Sequence, residues 1–563
     1  MNLEWLGPYL PFLMFLALAL FLFSGYPVAF VLGGIGLAFA FIAIFVDPWL
    51  FDWPQFGAIP SRIFGIEENL ILTAIPMFIF MGTMLERSGI ARDLLNCLQV
   101  LLRRVPGGLA LAVTLMGTIL AATTGIIGAS VVMMTLLALP VMLENRYDPR
   151  LATGTIAASG TLGILIPPSI MLVLMADLLS RSVGNLFVAA VIPGFMLSGM
   201  YLVYIYIRAR MNPELAPPLA EDIGPQGRIG FWVLVLRSFV PPVILIVMVL
   251  GSILGGYATP TEAAGVGAAG ALLLAFLNLV LIPVIGFAWI APLYTGIAVW
   301  TLAAMALGIA SLVGRALGLG PIENIAEPAF YTGVVAAILG YLWVFNYLRK
   351  GNDTREFDEI HFAGELADSG VDDHAVGGGF GAEFRHYWNS VRDVVLRTGL
   401  TNAMIFGIFV GATLFSFTFR AIGGEDQVDE LIKALGLGPW GLLLSIMAIV
   451  FLLGFFLDFI EIMLIVLPVF APIVAGLDFG DHVMKQEVVY WFAILLAVNL
   501  QTSFLTPPFG FALFYMKGVA PKTIRIQDIY RGIIPFVILQ MTAVILVLAF
   551  PDLALWLPRV LLN

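Results

Sequence analysis

The chain has 563 residues, 27 of them Lys or Arg and 37 Asp or Glu, and it is 61% hydrophobic with only 11% charged residues. A soluble domain carries about 25% charged residues, so a water-soluble protein is excluded, and the formal charge of −10 argues against a nucleic-acid partner. One cysteine, Cys97, permits no intramolecular disulfide, and no Cys/His cluster has zinc spacing.

In chain order, apolar runs lie near residues 10–23, 28–46, 70–85, 109–143, 152–178, 186–207, 233–254, 262–287, 290–313, 328–348, 399–419, 440–474, 489–516 and 533–550. Many approach the ~20 residues of a spanning helix. They are continuous rather than alternating, which excludes a transmembrane β-barrel; the expected fold class is an all-α polytopic membrane protein. The leading MNLEWLGPYL has an acid and no basic stretch, so it is expected to open the first helix rather than to be a cleaved signal.

The runs at 109–143 and 440–474 are too long for one untilted span and carry no charged loop, so each is expected to be a re-entrant helical hairpin. Arg103-Arg104 and Arg146/Arg150 flank the first; basic clusters favour the cytoplasmic side, and both fit only if that hairpin enters and leaves there. Its midpoint, Thr123-Thr124-Gly125-Ile126-Ile127-Gly128-Ala129-Ser130, offers hydroxyls and the glycines a tight tip needs. The second midpoint, Gly454-Phe455-Phe456-Leu457-Asp458-Phe459-Ile460-Glu461, sets two acids on one helical face. Acids at membrane depth usually face a pathway. Asp458 either caps the second arm or ligates a cation, and the roles are compatible; Glu461 is a proton carrier, a substrate contact or a snorkelling interfacial residue.

Residues 349–393 interrupt the pattern with ten acids against five bases, Gly377-Gly378-Gly379 and three of the four histidines. Their irregular spacing reads as a solvated loop, not a metal site.

An internal duplication carries the most information. Gly160-Thr161-Leu162-Gly163-Ile164-Leu165-Ile166-Pro167-Pro168-Ser169 is echoed by Leu500-Gln501-Thr502-Ser503-Phe504-Leu505-Thr506-Pro507-Pro508-Phe509, each following a hairpin candidate. Consecutive prolines remove two backbone donors and steer the preceding residues away from helical angles. Carbonyls freed at membrane depth survive only when buried or lining a cavity. With Ser and Thr hydroxyls they form hard oxygen sets suited to Na⁺, while the following half-helix presents its N-terminus to an anion. No nucleotide-binding GxxxxGK[ST] loop, HExxH or GxSxG string occurs, so an enzyme is not expected.

At these positions the sequence resembles the large membrane subunit of tripartite ATP-independent periplasmic (TRAP) transporters, the DctM-like permeases. The resemblance runs through Ile75-Pro76-Met77-Phe78 to Arg87-Ser88-Gly89, Pro106-Gly107-Gly108, the first Pro-Pro motif, Thr259-Pro260-Thr261-Glu262-Ala263-Ala264, FLLGFFLD at 451–458 and LTPPFG at 505–510, sparing only about residues 285–385. It implies an elevator-type transporter of the bacterial inner membrane with two inverted repeats. Its partners would be a periplasmic substrate-binding protein and a small four-helix membrane subunit, and a Na⁺ gradient would drive uptake of a small organic anion.

Carried over residue by residue, the resemblance implies one Na⁺ at Thr124, Gly125, Ile127, Gly163 and Ile166, and a second at Asp458, Phe459, Ser503 and Thr506. The anion is expected against Ser130, Pro167, Pro168, Ser169, Glu461, Gln501, Pro507 and Pro508. The implied organisation is scaffold helices at 1–100, a first transport repeat at 101–185, scaffold at 186–285, inserted helices and acidic loop at 286–395, a scaffold arm at 396–439, a second transport repeat at 440–530 and a C-terminal helix at 531–563. The inserted helices are expected to pack on the scaffold or to meet the small subunit.

The chain departs from the family pattern at the first tip, where Ile126-Ile127 stand in place of serines, and at Phe459, Glu461 and Ala512 near the second. These changes favour a 2-keto or hydroxy monocarboxylate over a C4-dicarboxylate. The rival expectations are an autonomous Na⁺/anion symporter and a non-transporting structural subunit. Neither break motif holds a Lys or Arg, so the anion's counter-charge falls to helix N-termini, bound Na⁺ or an outside arginine such as Arg181.

Overall fold

The structure is a computed structural model that describes residues 4–22, 24–47, 49–124, 127–219, 228–316, 326–349, 380–507 and 510–562. Among the described residues every regular element is helical, and ten helices are long and apolar enough to cross a membrane. The protein is thus an all-α polytopic membrane protein.

Helices α1 (Leu10–Leu22) and α2 (Val28–Val46) lead into the short α3 (Trp53–Phe56) and α4 (Ala58–Glu67), then α5 (Ala74–Arg87) and α6 (Ile90–Leu102). The run at 109–143 is two helices, α7 (Gly108–Thr124) and α8 (Ile127–Glu144), packed on each other. Next come α9 (Pro149–Thr161), α10 (Ile170–Leu178) and the long α11 (Val183–Met211). Asp148 starts α9 by accepting from the backbone N–H of Arg150 and Leu151, with Pro149 in the first turn, where its missing N–H costs nothing.

The run at 233–254 is divided into α12 (Arg228–Ser238) and α13 (Val240–Leu254) just before Pro241-Pro242. The Thr-Pro-Thr-Glu string proves to be the start of α14 (Pro260–Phe276): Thr259 and Glu262 form a reciprocal capping box, and Thr261 Oγ1 donates to Leu70 O at 3.0 Å. A π turn (Leu277–Leu281) joins α14 to α15 (Ile282–Ile285). Helices α16 (Phe287–Ala316) and α17 (Ala326–Arg349), expected from the sequence to be an insertion, pack along their length through small residues; a Cβ on Gly296 would fall 2.5 Å from Ala337 Cβ. This hairpin rests on α12 and α13 through Val233, Phe287 and Tyr294.

The acidic stretch at 350–379 lies outside the described residues, but helix α18 (Phe380–Ala421) already begins inside the segment read as loop. Its 42 residues rise ~63 Å at 1.5 Å each, about twice the hydrocarbon thickness. It pairs with α2 through Gly33, Gly36, Gly407 and Gly411; a Cβ on Gly411 would lie 2.4 Å from Ala29 O. Small residues four apart on each helix, Ala29 and Gly33 on one and Gly407 and Gly411 on the other, let the backbones approach this closely.

The remaining helices are α19 (Gly424–Leu435), α20 (Pro439–Leu453), α21 (Phe459–Ala475), α22 (Val488–Leu505), α23 (Phe511–Val519), α24 (Ile526–Ala549) and α25 (Asp552–Leu562). The order from α19 to α24 repeats that from α6 to α11: a polar-faced helix, a packed pair, a broken helix and a long helix. The repeats interlock. Helix α8 packs on α23 while α21 packs on α10, and α9 packs on α24 while α22 packs on α11. At the α9–α24 crossing a Cβ on Gly154 would lie 2.2 Å from Gly532 O, so the two backbones nearly touch. Neither repeat closes its own core without the other.

Candidate functional site

The first break begins where α9 ends. Residues 162–164 tighten into a 3₁₀ turn, the chain extends to Ser169, and α10 starts at Ile170; the Pro167–Pro168 peptide is cis. Ser169 Oγ donates to Ile164 O at 2.8 Å, closing the loop on itself, and residues 161–170 are all buried. Gly163, Ile166, Pro167 and Pro168 therefore sit inside protein, with Ile166 Cγ1 only 3.1 Å from where a Cβ on Gly194 would stand. Hydrophobic Ile166 and Ile127 have only backbone oxygen to offer a cation.

The second break is more open. Helix α22 is almost entirely buried, although Asn499, Gln501, Thr502 and Ser503 lie in its last two turns. Each donates to a carbonyl: Asn499 Nδ2 to Met447 O at 2.8 Å, Gln501 Nε2 to Thr161 O at 3.1 Å, Thr502 Oγ1 to Val498 O at 3.3 Å and Ser503 Oγ to Leu500 O at 2.8 Å, and just past the helix Thr506 Oγ1 donates to Thr502 O at 2.6 Å. A hydroxyl that donates its proton this way keeps its lone pairs for a cation. Thr506 and Pro507 are half-buried; Pro508 lies outside the described residues.

At the second hairpin tip, Asp458 and Glu461 form a capping box: Asp458 Oδ1 accepts from the Phe459 N–H at 2.9 Å, and Glu461 Oε2 accepts from the Asp458 N–H at 3.1 Å. The Phe459 ring meets Phe504 edge-on at 6.4 Å. Gly454 rests on the second break so closely that a Cβ there would fall 2.0 Å from Ser503 Oγ. The first tip is described from Ile127 onward; Gly125 and the Thr124 side chain lie outside the described residues. Ser130 is buried in the first turns of α8.

Two contacts bring the repeats together at this level. Gln501 Nε2 donates to Thr161 O at 3.1 Å, tying the second broken helix to the end of α9. Tyr515, on the half-helix after the second break, lies 3.0 Å from the position of a Cβ on Gly128 and within electrostatic reach of Asp458 and Glu461. Sequence reasoning missed Tyr515, because a lone tyrosine on an apolar half-helix belongs to no motif. Arg181 is elsewhere: its guanidinium lies over the Tyr490 ring, 5.8 Å from the centroid, beside the Asn185–Tyr490 contact.

The chain matches the family described as tripartite ATP-independent periplasmic transporter, DctM component, over residues 15–348 and 379–553. The first of these stretches runs continuously through α16 and α17, the helices expected from the sequence to be an insertion. It is 25% identical over 510 residues to the C4-dicarboxylate TRAP transporter large permease protein of Pseudomonas aeruginosa, covering 91% of each chain. It is 24% identical to the ectoine TRAP transporter large permease protein of Halomonas elongata, over 86% of each. To the 2,3-diketo-L-gulonate TRAP transporter large permease protein of Escherichia coli it is 22% identical, over 94% of each.

Proposed function

Since the chain belongs to the DctM family of TRAP transporter large permease components and is a multi-pass inner-membrane protein, not an enzyme, we propose that it imports a small organic anion coupled to Na⁺. The anion is a 2-keto or hydroxy monocarboxylate, delivered by a periplasmic binding protein to this subunit and a small four-helix membrane partner. The names of its relatives span a dicarboxylate, ectoine and a diketo sugar acid. That range leaves the choice of substrate to the residues that differ at the tips.

The observation that carries this reading is the interlocked pair of tips and breaks, joined where Gly454 meets Ser503 and Gln501 meets Thr161. In this mechanism one Na⁺ sits against Thr124, Gly125, Ile127, Gly163 and Ile166, held mainly by carbonyls. A second sits against Asp458, Phe459, Ser503 and Thr506, with a carboxylate and two hydroxyls. Cation binding fixes both tips against their breaks and completes a site bounded by Ser130, Pro167, Pro168, Ser169, Glu461, Gln501, Pro507 and Pro508. Ser169 and Gln501 act there by holding the loops in shape.

The interlocked repeats then slide as one body against the α2, α5, α14 and α18 framework. Coupling follows if the body moves only when empty or fully loaded, since movement with Na⁺ alone would dissipate the gradient. The test is uptake of a radiolabelled 2-keto acid into proteoliposomes holding this chain and its small partner, with and without the binding protein and an inward Na⁺ gradient. Uptake that needs both is expected. Uptake without the binding protein would instead indicate an autonomous symporter.

A further inference from the structure

A cavity of about 300 Å³ opens between α5, α18 and the first turn of α8, at the lower end of the range for small-molecule sites. Thr83 and Glu86 of α5, Arg397 and Thr401 of α18, and Ala129 of α8 line it. The polar pairs are three and four residues apart, so each helix turns both of its polar groups onto one face. Thr83 Oγ1 donates to Ile79 O within its own helix. Arg397 acts on Glu86 through space, yet among the described residues neither has a salt bridge or hydrogen bond. Arg397 is exposed and stands two residues before the apolar run of its helix at 399–419, so its guanidinium is open to an incoming anion.

We propose that Arg397 is the receptor for the substrate's carboxylate on the framework side, and that Glu86, on the same cavity, excludes anions carrying a second carboxylate. This rests on the import reading above and supplies the counter-charge that the break motifs lack. The planar guanidinium fork matches a carboxylate in two parallel hydrogen bonds, and Thr401 adds a hydroxyl beside it. Glu86 balances the Arg397 charge while the cavity is empty. Once a carboxylate occupies Arg397, Glu86 repels a second one, as like charges brought together across an interface do. Ala129 places the wall of this cavity on the first hairpin, so the anion touches the framework and the moving body together.

The experiment compares wild type, Arg397→Lys, Arg397→Gln and Glu86→Gln in the proteoliposome system, with pyruvate as the probe and succinate as competitor. Arg397→Gln is expected to raise the KM for pyruvate by about tenfold or more while leaving the half-saturating Na⁺ concentration unchanged, with Arg397→Lys intermediate. Glu86→Gln is expected to make succinate an inhibitor where it is none for wild type. An unchanged KM in Arg397→Gln overturns the proposal, as does unchanged succinate exclusion in Glu86→Gln. Should Arg397→Gln fail to assemble, Glu86→Gln alone decides. Wild type inactive with pyruvate and every other anion offered would instead overturn the import reading itself.

Discussion

The two Pro-Pro breaks share a sequence but are finished differently. The first is sealed: residues 161–170 are buried, and Ser169 folds back onto Ile164 O. The second leaves Thr506 and Pro507 half-buried and faces a tip bearing two acids, where the first faces a tip with none. A proline pair interrupts a helix in both places, but the first break is enclosed by backbone and apolar side chains, whereas the second stands partly open beside acids. The second half is therefore the side on which cation affinity should respond most to side-chain substitution.

The sharpest way to break this comparison is at the glycines that let the tips and breaks approach. Gly454→Ala would put a methyl group 2.0 Å from Ser503 Oγ and 2.4 Å from its Cβ. Overpacking of this kind costs about 1–3 kcal/mol, and uptake is expected to collapse while the chain still inserts. Gly194→Ala, facing the first break, meets Ile166 Cγ1 at 3.1 Å and should be milder; parallel uptake assays and melting curves would rank the two.

Asp458→Asn comes next. Asparagine caps a helix as well as aspartate does, so thermal stability should hold. Loss of the charge should raise the half-saturating Na⁺ concentration about tenfold, equivalent to about 1.4 kcal/mol. A Na⁺ titration that does not move would make Asp458 a cap and nothing more.

Smaller effects sharpen the contrast. Gln501→Leu removes the bond to Thr161 O that joins the repeats, and should lower stability in a melting assay by about 1 kcal/mol, the scale of interhelical hydrogen bonds in membranes. Ser169→Ala should cost a similar ~1 kcal/mol without moving the Na⁺ dependence. Ser503→Ala should shift that dependence, because its buried hydroxyl sits where the second tip meets the second break.

Much of this organisation is legible in the sequence, for identifiable reasons. Prolines and glycines punctuate an apolar chain sharply, so both long runs divide near their midpoints and both breaks fall at the proline pairs. The paired acids at 458 and 461 resolve into a capping box, one of the two compatible roles that spacing allowed for Asp458. Helices α6, α19 and α25 escape a search for apolar runs because one face of each is polar; Asp93, Glu425 and Arg559 sit on them. The start of α18 is hidden in the same way, since residues 380–393 are too charged to read as part of a membrane helix.

What the sequence hides altogether is contact between elements distant in the chain. Gln501 meeting Thr161, Tyr515 meeting Gly128, and Arg397 sharing a cavity with Glu86 join residues far apart in the chain. No periodicity encodes such pairs. The first two arise from the way each repeat closes on the other, and the third from the packing of α5 on α18, where Arg397, our proposed counter-charge, stands two residues before the apolar run that begins at 399.

We propose that both halves hold a cation that couples to the anion. It is tested most directly by the initial rate of anion uptake by wild type as a function of external Na⁺, with binding protein and anion saturating. A sigmoidal curve with a Hill coefficient above one is expected, as two cooperating sites require. A hyperbolic curve would leave one half without a cation, and uptake indifferent to Na⁺ would contradict the account outright.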